Sequence, residues 1–181
     1  MIIVLEGPDC SGKTTLGQAL HKEFNGKFKY IHNSLDRGQL VWRNEDGKII
    51  KKYKDLYHSH IDSLRLHKNA IVDRLWPSEL IYGNCFRGGC QYNVSQVKKI
   101  CEEYKPLYIG CLPPKRLVMK YFQRRLETED FSSVDTVYDH YQVIFDLCPE
   151  FKIFDYEVIS VEDFIKEFKH EHKSSLARYS S

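Results

Sequence analysis

The sequence lacks most signals for export or membrane insertion. Its opening apolar run, Met1 to Leu5, is far below the about 20 residues of a spanning helix, and it carries no cleavage signature. A soluble, cytoplasmic protein is expected. No cysteine pair has the C-x-x-C spacing of a zinc site, and Cys10, Cys85, Cys90, Cys101, Cys111 and Cys148 form no tight framework, so free thiols are expected. His58/His60 and His170/His172 lack clustered partner ligands and read as surface histidines. The formal net charge of +2 is too small to indicate nucleic acid by itself, although a balanced total can hide a basic groove. There is no internal repeat and no composition shift that marks a domain boundary. What remains, at 181 residues with 42% hydrophobic and 29% charged, is the profile of one compact domain. We place it at 1–172, with a frayed tail over 173–181.

Ile2-Ile3-Val4-Leu5 is a continuous β-branched run of the kind found in a parallel strand covered on both faces. Leu16, Ala19, Leu20 and Phe24 have helical spacing. Phe28 to His32 reads as a second strand, and the polar, charged stretch from Asn33 to Lys54 as a connection or mobile flap. A helix is expected over Leu56 to His67, then a buried strand over Ala70 to Arg74. Further helices are expected around Val94 to Glu103, Lys115 to Arg125, Phe131 to Leu147 and Val161 to His170, with strands at Pro106 to Leu112 and Phe151 to Tyr156. This alternation predicts an α/β protein, a parallel β-sheet flanked by helices.

Gly7-Pro8-Asp9-Cys10-Ser11-Gly12-Lys13-Thr14 matches G-x-x-x-x-G-K-[ST] between the first strand and helix, the context that gives such a match meaning. Glycines let the backbone curl until successive N–H groups face phosphate oxygens, and the helix dipole adds positive potential. The loop Gly7 to Thr15 is therefore expected to bind ATP in a P-loop nucleoside-triphosphate-hydrolase fold. Lys13 would reach the β- and γ-phosphates, and the Thr14 hydroxyl would ligate Mg²⁺. No N-K-x-D element and no D-x-x-G switch follow the loop, and the chain leaves little room for a power-stroke domain. A small kinase is favoured.

Asp73-Arg74 closes a predicted parallel strand, where open α/β sheets gather ligands. Arg74 can hold a phosphoryl group through its planar fork, and Asp73 can orient Arg74 or a magnesium-bound water; a surface ion pair is the alternative. Trp76 and Tyr82 suit the sandwiching of a base, or equally the filling of the core. Arg87, in the glycine-rich turn Phe86 to Gly89, can close over an acceptor. Arg124 and Arg125, on a basic helix before the acidic stretch Glu127 to Asp130, can act as a lid over the γ-phosphate, or be solvated charges.

Glu6-Gly7-Pro8-Asp9, Gly12-Lys13-Thr14-Thr15, Asp73-Arg74 and Arg124-Arg125, in this order along nearly the whole chain, resemble a thymidylate kinase. The resemblance implies that Asp9 approaches the acceptor sugar and Arg74, and that the lid arginine is Arg124 or Arg125. Two departures stand out. The family's F-x-R-E-P-G-x-T element is replaced by Tyr30-Ile31-His32-Asn33-Ser34-Leu35-Asp36-Arg37-Gly38, and D-R-Y becomes Asp73-Arg74-Leu75. The chain thus resembles a divergent phage branch that includes kinases of 5-hydroxymethyluracil in DNA.

That branch implies a base hydroxyl as acceptor, flipped from a strand, with Asp9 as the first candidate for the general base and Asp73 the second. The expected partners are ATP with Mg²⁺, and either DNA containing 5-hydroxymethyluracil or a free deoxynucleotide such as dTMP. A membrane is not expected, the oligomeric state is left open with a homodimer as one option, and in a phage the compartment would be the host cytoplasm. A regulatory or DNA-binding module that hydrolyses little ATP is the alternative from another class. Lys48, Lys51, Lys52 and Lys54, beside Arg43 and Tyr53, can track a phosphate backbone or form a solvated loop. Lys13→Ala is expected to cut phosphotransfer by about 100-fold or more; transfer at the wild-type rate in a radiolabelled-ATP assay would refute the phosphate-loop assignment.

Overall fold

The computed structural model describes residues 1–36, 39–125 and 131–176. Seven strands, β1 (Ile2–Glu6), β2 (Lys29–Asp36), β3 (Gln39–Arg43), β4 (Ile49–Tyr53), β5 (Ala70–Asp73), β6 (Leu107–Cys111) and β7 (Phe151–Phe154), form one sheet in the order β4-β3-β2-β5-β1-β6-β7. The five strands from β2 to β7 in that order run parallel, as the sequence predicts. The helices are α1 (Lys13–Glu23), α2 (Leu56–Arg65), α3 (Trp76–Phe86), α4 (Val94–Tyr104), α5 (Lys115–Arg125), α6 (Phe131–Leu147), α7 (Val161–Glu171) and α8 (Lys173–Leu176).

Every residue of β1 is buried. Successive side chains of a strand point to opposite faces, so Ile3 and Leu5 join Leu16, Leu20, Phe164 and Phe168 under α1 and α7. Ile2 and Val4 join Val72, Trp76, Val97 and Cys101 on the other face. Two covered faces explain the unbroken apolar run. Helix α3 packs between α4 and α6 and is buried at Trp76, Ser78, Glu79, Ile81 and Gly83. Burial on several sides removes the amphipathic stripe, which is why the sequence did not announce this helix.

The segment Asn33 to Lys54 is not a flap. β2 continues to Asp36, and β3 and β4 add antiparallel strands at the sheet edge. Burial of Val41 and Trp42 anchors them, and a tight turn reverses the chain, with Gly47 N donating to the Asn44 carbonyl at 2.9 Å. Lys51 lies over the Trp42 and Tyr53 rings and bonds Asp62 at 2.8 Å, whereas Lys48, Lys52 and Lys54 are exposed. Charged residues on an edge strand block unwanted pairing. The stretch expected to fray from Lys173 instead begins with α8, whose Leu176 is 1% exposed in the core; 177–181 lie outside the described residues. All six cysteines are free thiols.

Helix α1 approaches β2 closely at Gly17. A Cβ there would overlap the Tyr30 ring and stand 3.0 Å from Leu5 Cδ1, and the Tyr30 hydroxyl donates to Asp73 at 2.9 Å. Gly17→Ala is expected to destabilise the protein by about 1–3 kcal/mol through overpacking, although helix propensity alone favours alanine by about 1 kcal/mol. Urea denaturation decides, and a raised midpoint would contradict this packing.

Candidate functional site

The phosphate loop departs from β1 with Gly7 at φ 146°, Cys10 at φ 63° and Gly12 at φ 90°. A Cβ on Gly7 would collide with the Cys111 carbonyl at the end of β6, so glycine is required there. No side chain caps α1, which leaves the N–H groups of its first turn to the loop's concavity. Lys13 is buried and donates to the carbonyls of Gly7 at 2.8 Å and Pro8 at 2.6 Å. Burial, and then the Arg74 charge, lower its pKa.

The loop borders a cavity of about 520 Å³ that Asp73, Arg74 and Arg124 also line. Asp73 is 0% exposed. One of its oxygens accepts from Tyr30 at 2.9 Å, and Oδ1 is buried without a partner among the described residues. Thr14 lines the same cavity. Mg²⁺ that rides on phosphates needs only one or two protein oxygens, so the Thr14 hydroxyl and the unpartnered Asp73 oxygen fit a magnesium–nucleotide complex. Among the described residues no group of three or more His, Cys, Asp or Glu forms a metal cage.

A second cavity of about 420 Å³ adjoins the first and shares Asp9, His32 and Arg74 with it. Arg74 has φ 75°, a left-handed conformation that costs a residue with a Cβ about 1–2 kcal/mol. Its guanidinium bonds Asp9 and, at 3.3 Å, Ser78, and lies 4.8 Å from the centre of the Tyr82 ring. Asp73 is therefore not its hydrogen-bond partner, and neither member of the pair is a surface ion: the Arg74 side chain is 14% exposed. Arg87 also faces the second cavity and pairs with Glu79, whose side chain is 0% exposed. Burial raises the Glu79 pKa. Each arginine of this cavity is matched by a carboxylate.

Tyr82 lines the second cavity, but Trp76 does not. Trp76 is 4% exposed in the core cluster with Val4 and Val97, and its indole N–H reaches the Tyr108 hydroxyl at 3.3 Å. It fills the core because α3 turns it away from the strand ends. Arg124 lines the phosphate cavity, whereas the Arg125 side chain and the acidic stretch Glu127 to Asp130 lie outside the described residues.

Several site residues escaped the sequence reading. Glu6, 0% exposed at the end of β1, accepts from Leu75 N at 2.5 Å, the Ser78 hydroxyl at 2.7 Å and the Tyr141 hydroxyl at 3.0 Å. Burial raises its pKa, and the bond from Ser78 opposes the rise. A charged residue closing an apolar strand was the available signal. His32 sits opposite Asp73 in the sheet register and borders both cavities, with its pKa lowered by burial. His60 is not a surface histidine: it is 1% exposed, bonds the Tyr92 hydroxyl at 2.6 Å and lines the second cavity.

A third cavity of about 270 Å³ continues from the phosphate loop between Tyr121, Phe154 and Tyr156. Its aromatic lining suits a planar ring. Unpartnered buried side-chain atoms among the described residues are Asp73 Oδ1, Ser34 Oγ, Tyr156 Oη and Glu45 Oε2. The first three belong to residues that line the first, second and third cavities respectively. Unsatisfied polar groups are rare in protein interiors, and here they coincide with the places where a ligand would complete them.

The His60 pKa falls from its ordinary 6.5 to about 3 through burial, with the Arg87 charge adding to the effect. Between those values the unfolded chain binds the proton and the folded protein does not, so this group's contribution to stability declines as pH drops. The slope is at most about 1.4 kcal/mol per pH unit. Denaturation at pH 7.5 and pH 5.0 is expected to show a larger acid loss for the wild type than for His60→Gln. Equal losses would contradict the buried neutral imidazole.

No family model matches the chain. It is 27% identical over 144 residues to the SPbeta prophage-derived uncharacterized protein YorR of Bacillus subtilis (strain 168), a match covering 76% of this chain and 79% of that protein. The crystal structure of YorR from Bacillus subtilis in complex with phosphorylated GDP superposes with a TM-score of 0.72 at 20% identity, covering 97% of this chain and 98% of that one. Thymidylate kinase from Candida albicans gives a TM-score of 0.54 at 13% identity, covering 96% and 91%. The chain has the fold of the thymidylate-kinase-like P-loop kinases.

Proposed function

We propose that the protein is an ATP- and Mg²⁺-dependent kinase that passes the γ-phosphoryl group of ATP to a hydroxyl acceptor in the second cavity. The observation that carries this reading is the meeting of a phosphate-loop cavity with a second cavity at Asp9, His32 and Arg74. ATP lies with its phosphates along Gly7 to Thr15 and its base in the third cavity, which shares Cys10, Gly12, Thr15 and Tyr121 with the first. Thr14 and Asp73 would hold Mg²⁺, which would neutralise charge that builds on the phosphates.

The protein's own groups do the rest. Lys13 exchanges its bonds to the Gly7 and Pro8 carbonyls for phosphate oxygens, and Arg124 covers the tail from α5. Arg74 turns from Asp9 toward the moving phosphoryl group. That exchange frees the Asp9 carboxylate to take the acceptor's proton as its oxygen bonds to phosphorus and the bond to ADP breaks. Asp9 is the better-placed base because it borders both cavities, whereas Asp73 borders only the first of them.

Charge balance favours an uncharged acceptor. Arg74 is taken up by the moving phosphoryl group and Arg87 is paired with the buried Glu79, so a monophosphate would have to break the Arg87–Glu79 pair to find a cation in this cavity. Among hydroxyl acceptors we propose the 5-hydroxymethyl group of 5-hydroxymethyluracil in phage DNA, acted on in the host cytoplasm. The resemblance of the motifs and the prophage origin of YorR support this, and the exposed Lys48, Lys52 and Lys54 would draw in a strand. A deoxynucleoside monophosphate kinase is the second reading, favoured by the fold shared with thymidylate kinase and the guanine nucleotide held by YorR.

Incubation with γ-labelled ATP and a panel of hydroxymethyluracil DNA, thymidine, dTMP and dGMP decides between them. Label is expected on the DNA, with transfer that weakens as salt rises and when Lys48, Lys52 and Lys54 are neutralised. Label confined to monophosphates would replace this reading with the second. Binding of ATP with no labelled acceptor would leave a phosphate-loop regulatory module.

A further inference from the structure

Arg74 is held through its backbone as well as its guanidinium. Its N–H donates to the Leu5 carbonyl at 3.0 Å, and its carbonyl accepts from Asn33 Nδ2 at 2.6 Å. Asn33, on β2, is 4% exposed. Its other amide atom, Oδ1, accepts from the Ser59 hydroxyl at 2.9 Å, and Ser59 Oγ accepts in turn from the Trp42 indole N–H at 3.0 Å. Ser59 is 1% and Trp42 2% exposed, so water does not offer easy substitutes.

The direction of this chain is fixed by chemistry. An indole N–H can only donate. At the other end the Arg74 carbonyl can only accept, so Asn33 turns Nδ2 to it and Oδ1 to Ser59, which accepts from Trp42 and gives its single proton to that oxygen. That bond fixes which end of the Asn33 amide faces which neighbour, and leaves Nδ2 aimed at the Arg74 carbonyl. Reversing the amide would set its NH₂ group against the Ser59 proton and its oxygen against the Arg74 carbonyl, placing like partners together at both ends. Trp42 lies on the edge hairpin and Ser59 on α2, so the chain ties both elements to the residue where the two cavities meet.

We infer that Asn33 is a positioning residue for Arg74, and that Trp42 and Ser59 form a hydrogen-bond relay that keeps its amide in the donating orientation. The relay holds the left-handed turn at Arg74 while the guanidinium exchanges Asp9 for a phosphoryl group. It acts on phosphoryl transfer rather than on ATP binding, because none of its three side chains lines the phosphate-loop cavity and Asn33 lines the second one. The part of the inference that concerns catalysis rests on the kinase reading above.

The test uses Asn33→Ala, Ser59→Ala and Trp42→Phe, the last of which removes the indole N–H together with part of a buried ring, so that the relay is read from the three variants jointly. Ile61→Val serves as a control: Ile61 is 3% exposed on the same helix as Ser59 and loosens packing without touching the relay. Amide exchange at Arg74 and Leu75 is followed by NMR, with Ile3 and Val4 of β1 as internal references. Losing one net hydrogen bond is expected to speed exchange at Arg74 and Leu75, and to lower kcat, by about 5–10-fold. The KM for ATP should not change. In Ile61→Val neither quantity should change relative to the references.

If the relay variants match Ile61→Val in both measurements, the inference is overturned. If exchange at Arg74 and Leu75 rises selectively but the wild type labels no acceptor, the relay stands and the kinase reading falls. If exchange rises selectively and kcat is unaffected in an active enzyme, Asn33 is structural and the positioning role is refuted.

Discussion

Arg74 turns left at the end of β5, and the arrangement of the site follows from that turn. An extended continuation would carry the chain past the strand ends, whereas φ 75° sends the guanidinium back across the sheet toward Asp9. Such a conformation persists only when its surroundings over-determine it. Here the Leu5 carbonyl and Asn33 hold the residue itself, and Glu6 catches the next N–H at Leu75 and the hydroxyl of Ser78. The strain and its restraints therefore come from four strands and helices at once, which couples the position of one side chain to the whole of the sheet's carboxyl edge.

Buried charge is used sparingly and with partners. Removing an ion from water costs several kcal/mol even after relaxation, and Glu6 meets that cost with bonds from Leu75, Ser78 and Tyr141. Glu79 meets it with Arg87 and the Gln91 N–H. Three of the four exceptions among the described residues border the cavities: Asp73, Ser34 and Tyr156 each present an unpartnered polar atom there, and Glu45 is the fourth. A protein that satisfies Glu6 and Glu79 so fully, yet leaves polar atoms unpaired beside three cavities, has the character of a site built around ligands. The resulting charge balance also bears on the proposed acceptor, since Arg74 and Arg87, which border the second cavity, are already paired with carboxylates.

The parts of this structure legible in sequence were those in which one local signal had one meaning. The strand, glycine loop and helix over 1–23 could be read because an unbroken apolar run, a spaced glycine pair and a helical period occur in succession. Asp73-Arg74 could be placed at a strand end for the same reason. The edge hairpin was hidden because only Val41, Trp42 and Tyr53 of its two strands are buried, among polar and charged neighbours, and α3 because burial on several sides erased its period. His60 read as polar surface although Tyr92 and the fold bury it. The pairing of Arg74 with Asp9, and the chain from Trp42 through Ser59 to Asn33, join residues far apart in sequence. No periodicity encodes such contacts; they exist only once the sheet order is set.

In the proposed reaction the phosphoryl group passes from the first cavity to the second at Arg74. A crystal structure of the protein with a non-hydrolysable ATP analogue and Mn²⁺ tests it most directly, because the metal's anomalous signal and the phosphate tail are located independently. The terminal phosphate is expected within hydrogen-bond reach of Lys13 and Arg74, and the metal beside the Thr14 hydroxyl on the side of Asp73. A triphosphate bound elsewhere, with Arg74 still fastened to Asp9 and no metal near Thr14, would contradict it.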